Sequence, residues 1–169
     1  MSYACFFRDL DRCLDILNAG RKLPYLPAIC YNPSRTLHPF NTSQIMHPAE
    51  FKTLREAIGL SISTLVKVID VDERSIRKWE SGKKKLPLDV IEQVVAIDQL
   101  ITDTANNAFD ELQTSPQDSV TLHRYIEEED YLNAHPEFEG LPITSYGVVL
   151  YRLRQKLIDA GVPVSIEYV

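Results

Sequence analysis

The sequence has 169 residues, of which 44% are apolar and 25% charged, so its composition excludes a collagen-like or wholly disordered chain. No segment approaches the roughly 18 consecutive apolar residues of a membrane helix, and the first residues lack the basic leader of a secretory signal. We therefore expect a cytoplasmic protein without membrane association. Cys5, Cys13 and Cys30 have no CxxC spacing, which predicts reduced thiols and neither a disulfide framework nor a zinc site.

Charge divides the chain into three segments. The net charge of -6 combines +2 for residues 1–45, +3 for residues 46–88 and -11 for residues 89–169. We interpret these segments as an N-terminal arm, a basic head and an acidic α+β dimerisation region. A basic head joined to an acidic module fits a nucleic-acid-binding protein with an assembly or partner-binding region, so the acidic overall charge does not exclude DNA.

The first segment shows little sign of a packed structure. Residues 1–45 contain several prolines between Pro24 and Pro39 and no sustained apolar period beyond Gly20. This pattern predicts a poorly ordered arm with a short helix around residues 9–18. Because the compact pattern begins at Met46, one alternative is that the functional protein starts there.

In the head, residues that begin and end helices predict three short helices. Pro48 opens the first and Gly59 closes it, while Ser61 caps the second. Asp72 caps the third, which ends at Gly82. These signals predict three short helices within about 35 residues.

The third segment combines a long helix with a small α+β tail. Pro87 opens a helix whose apolar residues recur at steps of three and four from Val90 to Leu112. The residues that follow alternate in strand fashion at 120–126 and 162–169, which predicts a strand in each range. An acidic helix is predicted near 128–133 and a further helix at 145–160. The predicted fold class is therefore mainly α: an N-terminal helix-turn-helix bundle, a long helix and a small α+β tail, preceded by the arm.

Two stretches of the head, residues 54–65 and 71–83 with their Trp-Glu-x-Gly-Lys ending, resemble the helix-turn-helix of phage Cro-type repressors. In that family the third helix lies in the DNA major groove, with its N-terminal residues facing base edges. The resemblance implies base contacts from Glu73, Arg74, Ser75, Arg77 and Lys78. It implies phosphate contacts from Ser61, Ser63, Lys83, Lys84 and Lys85.

The residue chemistry favours the same conclusion. Between Arg74 and Lys85 there are six Lys or Arg and one acidic residue. Arginine pairs bidentately with guanine, and Glu73 can accept a hydrogen bond from cytosine. A solvated basic helix face is the simpler alternative, but its combination with the three-helix spacing favours DNA.

Two positions need separate interpretation. Ile62 stands where many relatives carry a Gln that touches phosphate, so that contact is left open. Trp79 lies three residues after Ile76 on the apolar face of the third helix, which predicts core packing and not stacking on a base.

Beyond Lys85, the sequence resembles the YdiL-type regulators, which include autorepressors associated with anti-CRISPR operons. The resemblance rests on the apolar residues that recur from Val90 to Leu112, which we call the stripe, on the acidic tail, and on residues 131–136 and 145–152. This resemblance covers residues 46–169. It implies a homodimer held by the C-terminal part, an inverted-repeat operator near the regulator's own promoter and, in some relatives, RNA binding by the same surface. The stripe from Val90 to Leu112 is long enough to form the dimer interface, or it packs against the head and residues 145–160.

Other functions have less support. The acidic run Glu127–Asp130 at a helix N-terminus favours dipole complementation over acid catalysis, and the four histidines lack metal-ligand spacing. No phosphate loop or nucleophile motif occurs, so we expect a protein that is not an enzyme and holds no cofactor or metal. The main alternative is an antitoxin-type protein, whose head binds DNA and whose acidic region neutralises a basic partner. The folded pattern of the tail argues against it.

A chain starting at Met46 is expected to fold and bind DNA with nearly unchanged affinity, because every predicted element of head and tail lies beyond that residue. The competing interpretation places Arg21 and Lys22 in a minor groove, as in other basic arms. Binding of the full and truncated chains to one operator across a salt series distinguishes the two. A loss of about tenfold or more, about 1.4 kcal/mol, with a shallower salt slope would show that the arm contacts DNA.

Overall fold

The computed structural model describes residues 46–114 and 118–169, and these residues are mainly helical. The head comprises α1 (Pro48–Ala57), α2 (Ile62–Ile69) and α3 (Glu73–Glu80). There follow α4 (Leu88–Thr114), β1 (Val120–Arg124), α5 (Glu128–Ala134), a 3₁₀ turn (Pro136–Phe138), α6 (Ile143–Asp159) and β2 (Val164–Tyr168). The predicted fold class is confirmed over this range. The predicted arm, with its short helix and the three cysteines, lies outside the described residues. Within the described ranges, no helix has the length and apolar content needed to cross a membrane.

Side-chain caps fix where the head helices begin. The Ser61 hydroxyl accepts a hydrogen bond from the Thr64 amide at 3.1 Å, and this cap begins α2. At the start of α3, the Asp72 carboxylate accepts from the Ser75 amide at 2.9 Å. Both caps match the sequence-based prediction, because Ser and Asp satisfy the amide groups that a helix N-terminus leaves without partners.

The apolar stripe of α4 packs within the chain. This helix packs on α6 and also contacts α1, and both α4 and α6 contribute buried residues to the core. On α4 these are Val90, Val94, Ile97, Ile101 and Ala105; on α6 they are Ser145, Tyr146, Val149, Leu150, Leu153 and Leu157. Arg152 adds a polar link, donating to the Asp98 carboxylate at 2.7 Å. The buried part of the stripe therefore packs within the chain, against the head and α6, which is the second of the two alternatives stated for it. The position of a dimer interface stays a prediction.

The two strands form a parallel sheet beside α6. Val120 pairs with Val164 and Leu122 with Ile166, so these residues share one face. Val120 and Leu122 are buried, whereas Ile166 is 39% exposed and Tyr168 70% exposed. Both predicted strands are confirmed. The predicted helix at 145–160 begins earlier than expected, at Ile143.

Aromatic side chains build a second packing centre in the acidic region. Tyr131 and Phe138 are fully buried, with ring centroids 6.2 Å apart. The His135 ring lies 4.3 Å from that of Tyr146. Burial raises the pKa of the Tyr131 and Tyr146 phenols, so both are neutral at physiological pH. The acidic region is thus folded around its own apolar contacts.

Replacing Ile101 by alanine should lower the free energy of unfolding by about 2–5 kcal/mol, because this side chain of α4 is fully buried in the core. Urea unfolding followed by circular dichroism measures the loss. Leu88→Ala is the matched control on the same helix, since that side chain is 50% exposed and its removal should change the free energy by about 0.5 kcal/mol or less. Equal losses in the two variants would contradict the described packing of α4.

Candidate nucleic-acid interface

Helix α3 has one buried face and one exposed basic face. Ile76 and Trp79 point into the core, and α3 packs on both α1 and α2. Arg74, Arg77 and Lys78 lie on the exposed side. Trp79 is only 3% exposed, so its predicted core role is confirmed. The packing leaves the basic face of α3 open to solvent.

A buried arginine ties α3 to the rest of the head. Arg55, on α1, donates from Nε to the Glu80 carboxylate at 2.6 Å and from Nη1 to the Leu60 carbonyl at 2.6 Å. The residue is only 5% exposed. It therefore joins α1, the α1–α2 turn and the end of α3 through directional bonds.

Sequence reasoning missed this pair, although a signal exists. Arg55 lies four residues after buried Phe51, and Glu80 lies four residues after buried Ile76. Each charge therefore falls on the apolar face of its own helix. Two opposite charges on buried faces of helices in one small bundle are expected to pair, since an isolated buried charge is very unfavourable.

The five predicted base-contacting residues fall into distinct environments. Arg74 and Lys78 are exposed, one helical turn apart, and lie outside any ion pair with other described residues. Arg77 donates from Nε to the Glu73 carboxylate at 2.8 Å, so these two charges offset each other locally. Ser75 is half-buried, and its hydroxyl donates to the Asp72 carboxylate at 2.7 Å. Arg74 and Lys78 are thus the side chains most available to reach base edges.

The helix N-termini in the motif differ in charge. Hydrogen bonds from the Ser75 hydroxyl and amide hold the pKa of the Asp72 carboxyl below its usual value, so α3 begins with a carboxylate. Glu73 adds a second acid there. The first turn of α2 has no acidic residue. Because an anion is attracted to a helix N-terminus without a resident carboxylate, phosphate is better accommodated at α2 than at α3.

Ser61 and Ser63 lie at that α2 terminus. Both are exposed, and their hydroxyl oxygens are 2.9 Å apart. Ile62 is half-buried, so its side chain is directed towards the protein. The Thr64 amide already donates to the Ser61 hydroxyl, which leaves the amides of Ile62 and Ser63 as first-turn donors. The terminus therefore offers hydroxyl and amide donors to an anion.

Three exposed lysines follow α3. The chain turns at Gly82, whose φ of 71° favours glycine. The amides of Lys83 and Lys84 donate to the Lys78 carbonyl at 2.9 and 3.2 Å, which holds the loop close to the end of α3. Lys83, Lys84 and Lys85 thus extend the basic surface beyond the helix. In the described part of the chain, no cluster of His, Cys, Asp or Glu could hold a metal ion.

This arrangement is a helix-turn-helix with an exposed basic third helix, consistent with a DNA-binding regulator. A family model described as Aca2/YdiL-like matches residues 46–159, which is more than half of the chain. The protein belongs to the Aca2/YdiL-like family. The match covers the head and continues to the last residue of α6. No curated protein matches the sequence.

Replacing Glu80 by alanine should lower the free energy of unfolding by about 3–5 kcal/mol, because the buried Arg55 guanidinium then lacks its partner. Denaturant unfolding measures this loss. Glu56→Ala is the control: its carboxylate also pairs with Arg55, at 3.2 Å, but is 56% exposed, so its removal should cost less than about 1 kcal/mol. A similar small effect in both variants would show that the Arg55–Glu80 pair does not hold α3 in place.

Proposed function

We propose that this protein is a sequence-specific, homodimeric transcriptional repressor that binds an inverted-repeat operator through α3. The observation that carries the proposal is the exposed basic face of α3, fixed to the head by Ile76, Trp79 and the Arg55–Glu80 pair. A recognition helix held this firmly keeps its side chains in register with base edges. Membership of the Aca2/YdiL-like family supports a regulatory role.

Within this surface, base reading and phosphate binding fall to different residues. Arg74 and Lys78 carry long donors on the exposed face, and such donors discriminate bases in the major groove. Glu73, Ser75 and Arg77 complete the proposed base-contacting set. Phosphate binding is assigned to Ser61, Ser63, Lys83, Lys84 and Lys85, which lie at the α2 terminus and on the loop after α3.

The homodimer follows from the size of the head and the surface of the acidic region. A single head of about 40 residues contacts little DNA, whereas two heads related by a two-fold axis read two half-sites roughly 34 Å apart. Several exposed apolar side chains, which a monomer would leave in water, belong to the C-terminal region. They are Ile126, Tyr151, Ile158, Ile166, Tyr168 and Val169. We therefore place the interface in residues 89–169, away from the buried α4 residues.

Occupation of an operator near the gene's own promoter would block transcription, which makes autorepression the proposed outcome. Such a regulator acts in the cytoplasm with its DNA, and the proposal assigns it no catalytic activity, cofactor or metal. The antitoxin alternative is supported by the exposed carboxylates of Glu127–Asp130. It has less support, because the acidic region folds around Tyr131 and Phe138 without a basic partner. RNA is a further ligand that the same basic face would accept.

Alanine substitution separates the two classes of contact. Arg74→Ala and Lys78→Ala should each weaken binding to the preferred site by about 1–3 kcal/mol and relax sequence preference. Lys83→Ala or Lys84→Ala should weaken all sequences alike and reduce the salt slope by about one. Fluorescence anisotropy with preferred and scrambled duplexes across a salt series measures both quantities, with Arg154→Ala in α6 as a charge-matched control. Unchanged specificity in Arg74→Ala would place the recognition surface elsewhere.

The purified protein is expected to be a dimer at micromolar concentration. Ile166→Lys and Tyr168→Lys should shift it towards monomer, because a charge on an interface residue must be desolvated on association. Sedimentation equilibrium measures the shift, and Leu88→Lys serves as control, since Leu88 is also exposed but begins α4. A wild-type protein that sediments only as monomer would contradict the homodimer.

A further inference from the structure

Two hydroxyl groups of α6 bind the turn between α1 and α2. Thr144 donates from Oγ1 to the Gly59 carbonyl at 2.7 Å, and Ser145 donates from Oγ to the Ile58 carbonyl at 2.9 Å. Ser145 is fully buried. These residues are more than 80 positions apart in the sequence, so the bonds join the head to the C-terminal region. We call Ile58, Gly59, Thr144 and Ser145 the α6 joint.

The backbones at the α6 joint are in close contact. A Cβ atom built on Gly59 would lie 2.8 Å from the Thr144 carbonyl oxygen, closer than real Cβ contacts allow. Gly59 also has a φ of 77°, a conformation that residues with side chains rarely adopt. Glycine at this position thus permits both the turn and the approach of α6.

The α6 joint is continuous with the anchor of the recognition helix. Arg55 bonds to the carbonyl of Leu60, the residue after Gly59, and also to Glu80 at the end of α3. The head also rests on α4, and the buried apolar residues of α1 and α4 belong to one hydrophobic core. Apolar packing is non-directional, whereas hydrogen bonds restrict the angle between their partners. The joint is therefore the contact best suited to fix the orientation of the head.

We propose that Thr144 and Ser145 are positioning residues that determine the half-site spacing the protein accepts in its operator. This inference rests on the proposed function, in which two C-terminal regions hold two heads on one duplex. One added base pair displaces a half-site by about 3.4 Å and rotates it by roughly 35°. With a rigid joint, the second head cannot follow that change. With a loosened joint, it can turn to meet the displaced half-site.

The test uses a Thr144→Val/Ser145→Ala double variant of the full chain, which removes both hydroxyls with little change in volume. Thr144→Ser is the matched control, because it keeps the hydroxyl and removes only a methyl group. Operators with the preferred spacing, and with one base pair added or removed, are titrated in an anisotropy assay. A single half-site duplex and thermal unfolding are measured in parallel.

The wild type and Thr144→Ser should lose about tenfold or more in affinity when the spacing changes by one base pair. The double variant should lose less than about threefold, with its affinity for the single half-site unchanged. If the double variant does not fold, Thr144→Val alone, at an exposed position, should show a smaller change in the same direction.

A double variant with lower thermal stability but the wild-type spacing profile would overturn the inference, since the joint would then only stabilise the fold. That result leaves the repressor proposal standing. A wild type that binds every spacing equally, or binds no operator sequence selectively, would instead contradict the proposed function from which the inference starts.

Discussion

The structure of the head depends on the buried guanidinium of Arg55. Its bonds to Glu80 and Leu60 connect α1, the α1–α2 turn and the end of α3, all within one compact bundle. A charge in this position must be fully paired, because an unsatisfied buried ion costs several kcal/mol. The native arrangement of the three helices satisfies that requirement, and it holds the basic face of α3 outward. The exposure of the basic face of α3 is thereby linked to the pairing of one buried charge.

Charge also orients the molecule as a whole. Residues 46–88 carry +3 and residues 89–169 carry -11. A polyanion such as DNA is attracted to the first segment and repelled by the second, so the duplex should approach from the side of the head. Two acidic regions also repel each other, so their association requires apolar contact that outweighs this repulsion. The exposed apolar side chains of α6 and β2 provide such contact, whereas Val94, Ile97 and Ile101 of α4 are already buried within the chain.

Most of the secondary structure follows from local sequence signals. Ser61, Asp72 and Pro48 mark helix starts because their effects act within one turn, and Trp79 is assigned to the core by its spacing from Ile76. The sequence did not determine what packs on the α4 stripe, since an apolar helix face does not reveal whether a second copy or the same chain covers it. Packing of the stripe against the head and residues 145–160 was one of two alternatives, but individual contacts between distant residues were not predicted. The sequence gives no sign that Thr144 and Ser145 have a role beyond the start of a helix. Their contact with Gly59 and Ile58 arises only in the folded chain.

The proposed repressor requires two copies of α3 that read a two-fold symmetric DNA site. Selection of binding sequences from a random duplex pool by the full-length protein tests this requirement, because it assumes neither an operator nor a regulated gene. We expect enrichment of an inverted repeat with half-site centres about one helical turn apart, 10–10.5 base pairs. Absence of any enriched sequence, or enrichment of a single half-site without its symmetric partner, would contradict it.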